Sequence, residues 1–185
     1  MAILLLAPSP LLLFMGEEFG AQTPFLFFCD FASELADRVR YGRRAEFARF
    51  KQFRSPEAQA RIPDPNDPAT FLASKLDWAS LERQPHREWL QLYRELLTCR
   101  QEKIVPQIKD IVPGLAQYDV LGPSAVHVRW GLAKRGTLEL ITNLGRDSTV
   151  LRNRPDGKLL YTTDANCIPT WERVPPFSAM WFLKT

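Results

Sequence analysis

The sequence predicts an α+β fold, with a helical part in residues 1–113 followed by an all-β antiparallel domain in residues 114–185. Two observations predict this class. Apolar residues recur with a helical period up to about Pro106 and at every second position, as in strands, after Pro113. In addition, 45% of the 185 residues are hydrophobic, which is enough to build a core. We therefore expect a folded chain whose structural class changes near residue 113.

The first fifteen residues are almost wholly apolar. Residues 2–6 are typical of the last turn of a buried helix, which a Pro-Ser-Pro sequence ends. Residues 11–15 form a short apolar run before a glycine, which favours a fully buried strand of the parallel type. No Lys or Arg precedes Arg38, and the run is shorter than the ~20 residues of a membrane helix. We expect neither a secretory signal nor a membrane anchor.

Two longer helices are predicted next. Ser33 is a good N-cap residue for a helix that we expect to run to about Phe53. A proline-rich loop over residues 62–68 separates it from a second helix, which starts after Pro85 and ends before Pro106. One face of the second helix is expected to be buried, since its apolar residues follow the spacing i, i+3, i+4, i+7, i+8. These residues are Trp89, Leu92, Tyr93, Leu96 and Leu97.

Alternating apolar and polar residues after Pro113 predict short strands. The expected strands cover residues 126–130, 138–140, 159–163 and 177–183, with turn signals at Gly131, Gly145 and Asp156-Gly157. Short strands at this spacing indicate a small antiparallel sandwich or barrel, of which we expect the sandwich.

Charge and cysteine content exclude several kinds of site. The net charge of +3 comes from 24 basic and 21 acidic residues without a basic stripe, which argues against nucleic-acid binding. Cys29, Cys99 and Cys167 lie far apart, and His86 and His127 are the only histidines. A disulfide framework or a structural zinc site is therefore not expected, and a reducing cytoplasm fits best.

The sequence offers no complete pair of catalytic carboxylates. Hydrolysis of a glycosidic bond with retention needs two of them, about 5–5.5 Å apart. Glu17 and Glu18 are the obvious paired acids, but as neighbours in an extended segment they would point to opposite sides. We expect no catalytic residue in this chain.

The loop that follows the predicted strand is dense in aromatic residues. In a (β/α)8 barrel the loops after the strands build the active site, so residues in such a loop tend to be functional. Phe25, Phe27, Phe28 and Phe31, with Asp30 among them, suit a sugar-binding lip. Aromatic faces stack on the apolar face of glucose, and a carboxylate accepts hydrogen bonds from hydroxyls. The alternative is that these rings are core residues.

Four stretches of the chain resemble a known family. Residues 10–18, which end in Gly-Glu-Glu, are similar to the eighth-strand motif of the α-amylase superfamily, which amylases, branching enzymes and debranching enzymes share. Residues 19–31, 39–47 and 64–78 resemble, more selectively, the malto-oligosyltrehalose trehalohydrolases of that superfamily. By this resemblance the chain is identified as the C-terminal part of such an enzyme.

The resemblance implies a fold and an activity. Residues 1–113 would be the C-terminal end of a (β/α)8 catalytic barrel, with its last strand and following helices, and residues 114–185 a C-terminal β-sandwich domain. The family is one of retaining glycosidases, which hydrolyse the α-1,4 bond next to the trehalose end of maltooligosyl-trehalose and release trehalose. Its Asp nucleophile, Glu acid/base and supporting Asp lie on earlier strands, so the isolated chain is expected to be inactive.

The resemblance also implies roles for loop residues. Phe27 and Phe28 are expected to stack on sugar rings, and Asp30 to contact sugar hydroxyls. Glu17 and Glu18 are expected to support the site rather than to touch the bond. No metal and no cofactor are expected, and the partner would be maltooligosyl-trehalose or a related α-glucan.

Two other functions stay open at this point. The chain could belong to another α-amylase superfamily enzyme of the branching or debranching type, although residues 64–78 argue against it. It could also be a non-catalytic carbohydrate-binding module, which glucan binding without hydrolysis would support. In each case we expect no nucleic-acid or membrane partner, and a homo-oligomer that covers the exposed barrel strand is a further expectation.

Overall fold

The computed structural model describes residues 1–164 and 172–185, so Cys167 lies outside the described residues. The described chain forms two compact units. The sheet unit consists of Met1–Leu13 together with Gln91–Thr185, and the loop unit consists of Phe14–Leu90.

Helices precede strands along the described chain. The helices are α1 (Ala2–Leu6), α2 (Ser33–Phe47), α3 (Pro56–Ala60), α4 (Pro68–Ser74), α5 (His86–Cys99) and α6 (Val105–Ile108), with a π-helical turn, Arg100–Ile104, between the last two. The strands are β1 (Ile111–Gly122), β2 (Ala125–Leu132), β3 (Thr137–Asn143), β4 (Thr149–Val150), β5 (Lys158–Thr162), β6 (Arg173–Val174) and β7 (Ser178–Lys184).

Five of the strands form one antiparallel sheet in the order β1-β2-β3-β7-β5, and β4 pairs with β6 in a second, two-stranded sheet. The register places Val128 opposite Leu140 and Leu140 opposite Trp181 across the three central strands. The predicted α+β class and the antiparallel β part are thus confirmed. The second layer of the predicted sandwich is reduced to two strands of two residues each.

The helices of the sheet unit cover one face of the five-stranded sheet. Leu5 and Leu6 of α1 and Leu96 of α5 are fully buried in a cluster with Leu138 and Trp181 of the sheet. The rings of Trp130 and Trp181 are stacked, with centroids 5.7 Å apart. Residues of one strand that point to the same face are two positions apart, which is why the β period gives one continuous apolar surface here.

The opposite face of the sheet packs against the two-stranded sheet. Ile141, Met180 and Phe182 of the large sheet are buried with Val174 of β6 and Leu151, which follows β4. The five-stranded sheet is therefore the central layer of the sheet unit.

A buried hydrogen-bonded pair, His127 and Glu139, lies on this second face. His127 Nε2 is 2.7 Å from Glu139 Oε2, and both side chains are almost fully buried. Glu139 Oε1 also accepts hydrogen bonds from Thr137 Oγ1 (3.1 Å) and Asp156 N (3.2 Å). Burial alone would raise the pKa of Glu139, but the hydrogen bonds from His127, Asp156 and Thr137 together bring it below its ordinary value. The pair is consistent with a structural role for His127.

The predicted buried strand over residues 11–15 is wrong for this structure. These residues form no strand, and Leu12 is 91% exposed, with Phe14 and Met15 exposed as well. A parallel strand needs neighbours that take up its backbone N–H and C=O groups. No strand of the described residues pairs with this segment. Leu11 and Leu13 still pack, partly buried, against the core of the sheet unit.

Three predicted details also differ from the structure. Ser33 is the first residue of α2 and not its N-cap, which is Ala32. Helix α2 ends at Phe47 rather than at about Phe53, because Phe50 is extended (φ −89°, ψ 134°) and a 3₁₀ turn, Lys51–Phe53, follows. That turn brings the Phe53 ring to 5.2 Å from the Phe47 ring. Gly131 lies inside β2 instead of at a turn, and the chain reverses at the 3₁₀ turn Ala133–Arg135.

Helix α5 starts and ends close to its predicted limits, but its apolar face is only partly buried. Tyr93 and Leu96 are buried, whereas Trp89 is 40% and Leu97 is 37% exposed. Trp89 belongs to the loop unit, where a Cβ added to Gly20 would come within 3.0 Å of its ring. The stripe predicted as one buried face is therefore divided between two compact units.

Candidate functional site

The predicted site residues lie in the first part of the loop unit, which starts with a tight corner. Gly16 (φ +87°) and Gly20 (φ +63°) flank a 3₁₀ turn, Glu17–Phe19. A Cβ on Gly16 would lie 2.8 Å from both Ala21 Cβ and Leu76 Cδ2. The left-handed conformation and the close approach both require glycine at this position.

The two neighbouring carboxylates at this corner have different surroundings. Glu17 Oε2 accepts a hydrogen bond from Phe14 N (3.1 Å), and Glu17 N donates to Phe14 O (3.0 Å), which closes the turn. Glu18 is partly buried, and no described residue donates a hydrogen bond to its side chain. Glu17 thus holds the backbone of the corner, which is a geometry suited to support rather than to bond cleavage.

Phe28 is packed in a row of aromatic rings. Its ring contacts Phe25 (centroids 5.8 Å apart) and Phe71 (5.1 Å), and Phe25 contacts Phe14 (4.9 Å), all edge to face. Such pairs stabilise by about 0.5–1.5 kcal/mol each beyond the area that they bury. The row attaches the loop to helix α4, which carries Phe71, and leaves Phe28 half-buried.

Phe27 lies under a guanidinium group. Arg43 Cζ is 5.1 Å from the centroid of the Phe27 ring and 4.8 Å from that of Phe47, both within the range of a cation–π contact. Arg43 covers one face of Phe27, and the side chain is nevertheless 42% exposed. Phe27 therefore retains exposed ring surface on which a ligand could stack.

Asp30 and Cys29 stand side by side in this loop but differ in chemistry. Asp30 is exposed, and no described residue donates a hydrogen bond to its carboxylate, which leaves both oxygens available to hydroxyl donors. The Cys29 thiol is 3.5 Å from Asn66 Oδ1. Burial raises the pKa of Cys29, and the negative charges of Asp64 and Asp30 raise it further. The thiol is therefore protonated at neutral pH and unsuited to nucleophilic attack.

The side chain of Asn66 holds the end of the loop. Its Oδ1 accepts a hydrogen bond from Phe31 N (3.2 Å), and its Nδ2 donates to Ala36 O (3.3 Å) at the start of α2. The neighbouring carbonyl of Pro65 accepts from Cys29 N (2.8 Å). Contacts on both sides of Asp30 thus fix the loop to residues more than thirty positions away in the sequence.

Ser74 holds the beginning of the loop in a similar way. Its hydroxyl accepts from Leu26 N (3.0 Å) and lies 3.1 Å from Leu26 O and 2.9 Å from Thr70 O. Ser74 is the last residue of α4, so the hydrogen bond ties the loop to the end of that helix.

Asp64 keeps the Asn66 segment in place. Asp64 Oδ1 accepts from Asn66 N (3.0 Å), its Oδ2 is 2.5 Å from Arg40 Nε, and its backbone O accepts from Thr70 Oγ1 (2.6 Å). The hydrogen bond from Asn66 N, helped by the Arg40 guanidinium against the opposing effect of burial, lowers the pKa of Asp64. Asp64 therefore stays charged at neutral pH and joins α2, which carries Arg40, to the loop before α4.

The structure thus assembles some of the predicted site residues and adds others. Phe27, Phe28 and Asp30 lie in one segment that is anchored at both ends, and Glu17 shapes the corner before it. Sequence reasoning did not assign the anchoring residues Arg40, Asp64, Asn66 and Ser74, although they lie in stretches that resemble the trehalohydrolases. A usable signal was the Asp-Pro-Asn sequence, since such side chains bond to nearby backbone in turns.

Within the described residues, no cluster of three or more His, Cys, Asp or Glu side chains could hold a metal ion. None of the helices in residues 1–164 and 172–185 is long and apolar enough to cross a membrane.

A family model and a solved structure indicate the class of protein to which this chain is similar. Residues 113–181 match the family model described as a domain of unknown function, DUF3459. The whole chain is similar to the crystal structure of a Salmonella typhimurium protein proposed to be an α-amylase. The TM-score is 0.84 at 36% identity, and the match covers 100% of this chain and 30% of that one. These similarities are those of the C-terminal region of an α-amylase family glycosidase.

The curated relatives that match this chain share one enzyme name. The malto-oligosyltrehalose trehalohydrolase of Rhizobium sp. strain M-11 is 37% identical over 161 residues, which are 86% of this chain and 25% of that protein. The enzyme of the same name from Deinococcus radiodurans is 46% identical over 101 residues, 55% of this chain and 16% of its own length. The one from Mycobacterium tuberculosis is 36% identical over 149 residues, which are 80% of this chain and 24% of that protein.

The predicted resemblance to the C-terminal part of malto-oligosyltrehalose trehalohydrolases is therefore confirmed. The chain spans a quarter or less of the length of these relatives.

Proposed function

We propose that this chain is the C-terminal part of a malto-oligosyltrehalose trehalohydrolase. The complete enzyme would hydrolyse the α-1,4 bond next to the trehalose end of maltooligosyl-trehalose and release trehalose. The observation that carries this proposal is the 37% identity to the Rhizobium enzyme over 161 residues, a match that covers 86% of the chain. In this view residues 1–113 end the catalytic (β/α)8 barrel, and residues 114–185 form the C-terminal β-sandwich domain.

The chain would contribute to substrate binding and not to bond cleavage. A retaining glycosidase needs a nucleophile and an acid/base on either side of the bond. Glu17 is occupied in closing its own turn, and Glu18 is its sequence neighbour, so this pair does not supply both groups. We therefore propose that the catalytic carboxylates lie in the part of the enzyme that this chain does not include, and that the chain alone is inactive.

The anchored loop would form one lip of the substrate cleft. The exposed surface of Phe27 would stack on a sugar ring, and the exposed part of Phe28 would extend that surface. Asp30, whose oxygens have no donor among the described residues, would accept hydrogen bonds from sugar hydroxyls. Glu17 and Glu18 would support this lip from the corner below it.

The exposed apolar residues before this corner support one further part of the proposal. Leu12 in the sheet unit is exposed, as are Phe14 and Met15 in the loop unit. We propose that neighbouring barrel strands cover them in the complete enzyme and that a homo-oligomer covers them in the isolated chain.

A hybrid enzyme tests the proposed function. This chain replaces the matching quarter of the Rhizobium trehalohydrolase, and the hybrid is assayed with maltotriosyl-trehalose. We expect trehalose release, with a KM raised roughly tenfold by Phe27→Ala, since that substitution removes a stacking surface. Phe177→Ala, which removes an exposed ring from the sheet unit, is the matched control and should leave KM unchanged.

The same assay separates the proposal from its main alternative. The solved Salmonella structure is of a protein proposed to be an α-amylase, which favours cleavage of ordinary α-glucan as the second candidate. A folded hybrid that cleaves maltopentaose as fast as maltotriosyl-trehalose, and releases no trehalose, would contradict the trehalohydrolase assignment and support the alternative.

A further inference from the structure

The loop unit contains a cavity whose lining residues do not include Phe27, Phe28 or Asp30. It is a cavity of about 340 Å³ between the segment after Gly20 and the segment that leads into α5. Most of its lining is polar, and the side chains that matter here are Gln22, Thr23, Asp77, Arg83, Gln84 and His86. Cavities that bind small molecules occupy about 300–1,000 Å³, so this one has room for one or two sugar rings.

The charged groups of the cavity neutralise each other. Asp77 Oδ2 is 2.5 Å from Arg83 Nη2, and Asp77 Oδ1 accepts a hydrogen bond from Ala79 N (3.1 Å) at the start of a 3₁₀ turn. An ionic ligand would have to compete with this pair for its partner. The balance of charge therefore favours an uncharged ligand.

His86 offers the cavity a hydrogen-bond acceptor. Its Nδ1 is 2.9 Å from Phe19 O, and a carbonyl oxygen can only accept, so Nδ1 carries the hydrogen of this bond. In the neutral imidazole ring Nε2 is then an acceptor, fixed in orientation by the Phe19 contact.

The remaining polar side chains have unused capacity for hydrogen bonds. No described residue donates to or accepts from the side chains of Gln22, Thr23 and Gln84, which together carry two amides and one hydroxyl. Amides and hydroxyls donate as well as accept, and with His86 they form a mixed set. A mixed set of neutral donors and acceptors matches a ligand that has several hydroxyl groups.

From these observations we propose that the cavity binds a glucopyranose unit of an uncharged α-glucan or glucose disaccharide. The amides of Gln22 and Gln84, the Thr23 hydroxyl and His86 Nε2 would contact its hydroxyls. This binding site goes beyond the proposed hydrolysis, because it needs no catalytic group and would function in the chain alone.

Sugar binding to the 185-residue chain tests the proposal directly. Maltose and trehalose are titrated separately, and the side-chain amide signals of Gln22 and Gln84 are followed by NMR. We expect saturable binding that Gln84→Ala weakens roughly tenfold, as expected for the loss of a hydrogen bond to the ligand. Gln84 is exposed, so the substitution leaves folding intact. Tighter binding of maltose than of trehalose would identify the end of an α-glucan as the natural ligand.

Two controls make the result specific to this cavity. Phe27→Ala changes the lip and should leave binding here unchanged, whereas Thr23→Val, at another residue of the cavity lining, should weaken it. No saturation by either sugar at 50 mM (about five times a weak Kd of roughly 10 mM) would overturn the proposal. Binding lost in Phe27→Ala but kept in Gln84→Ala would overturn it as well. Because no turnover is measured, this outcome is independent of the proposed hydrolytic function.

Discussion

Replacing Asn66 by Ala should loosen the lip without unfolding the chain. The Asn66 side chain accepts a hydrogen bond from Phe31 N (3.2 Å), donates one to Ala36 O (3.3 Å) and receives a weaker contact from the Cys29 thiol (3.5 Å). The loop retains the Pro65 carbonyl bond to Cys29 N (2.8 Å) and the Ser74 contacts at its other end. The substitution therefore removes one of several anchors.

The size of the effect follows from the bonds that are lost. A net contribution of about 1 kcal/mol for each of the two stronger hydrogen bonds gives about 2 kcal/mol. Since 1.4 kcal/mol corresponds to a factor of ten, local opening of the loop should become about thirtyfold more frequent. The Phe31 amide loses its acceptor outright, whereas the Cys29 amide keeps the Pro65 carbonyl and reports on the loop as a whole.

Native-state hydrogen exchange at these two amides measures this opening. We expect exchange at the Cys29 amide to be ten- to thirtyfold faster in Asn66→Ala than in the unsubstituted chain. The matched control is Asn153→Ala, at an exposed asparagine whose side chain bonds to no described residue. Exchange at Cys29 that changes less than twofold, or equally in both variants, would refute the assignment of Asn66 as an anchor of the lip.

Three further perturbations test the packing of the sheet unit. The folded state lowers the pKa of Glu139, so the stability that this carboxylate contributes is present above its ordinary pKa of 4.5 and is lost as the pH falls through the folded value. The urea midpoint should therefore decrease over this pH range, and it should decrease less steeply in Glu139→Gln. Arg100 donates to the carbonyls of Leu5 (3.1 Å), Ala7 (2.5 Å) and Ser9 (2.7 Å), so Arg100→Ala should lower the free energy of unfolding by about 2–3 kcal/mol, against little change for Arg94→Ala on the exposed side of α5. Leu96 is fully buried, so Leu96→Ala should lower the free energy of unfolding by about 2–5 kcal/mol. Leu97→Ala, at a partly exposed neighbour, should lower it by less than about 1 kcal/mol. Equal urea midpoints within the Arg100/Arg94 pair or within the Leu96/Leu97 pair would contradict the assigned contacts.

Local periodicity predicted the elements whose burial is decided within the chain. Helix α5 and strands β5 and β7 lie close to their predicted limits, because their apolar faces meet partners that the chain itself supplies. Residues 11–15 have the same strong apolar signal but no strand beside them, so the pattern predicted a strand that this structure lacks. An apolar run indicates that a strand needs a neighbouring strand, but it does not show that the chain supplies one.

The site could be predicted only in part for a related reason. Phe27, Phe28 and Asp30 were predicted from their residue types and from the resemblance. The Asn66 side chain, in contrast, contacts a backbone amide 35 positions away, and Ser74 contacts Leu26 across 48 positions. Contacts at such separations depend on the tertiary path of the chain and leave no period in the sequence.

The His127–Glu139 pair illustrates the same limit within a single sheet. His127 alternates with Val126 and Val128 in the sequence, a pattern that indicates a strand with its polar residues on the opposite face from the valines. Its burial arises because this face of the five-stranded sheet is covered in the folded chain, and which face is covered is a property of the whole topology. Once buried, the imidazole needs a partner, and Glu139 supplies it from the neighbouring strand.

The most direct test of the proposed division of roles is to measure trehalose release from maltotriosyl-trehalose by the 185-residue chain alone. We expect no release above the rate of a blank without protein, because the chain would supply a substrate-binding lip and no pair of catalytic carboxylates. Loss of such groups typically reduces the rate by several orders of magnitude. Trehalose release at a rate comparable to that of a full-length trehalohydrolase would show that the chain carries its own catalytic groups, and the proposed division of roles would then be wrong.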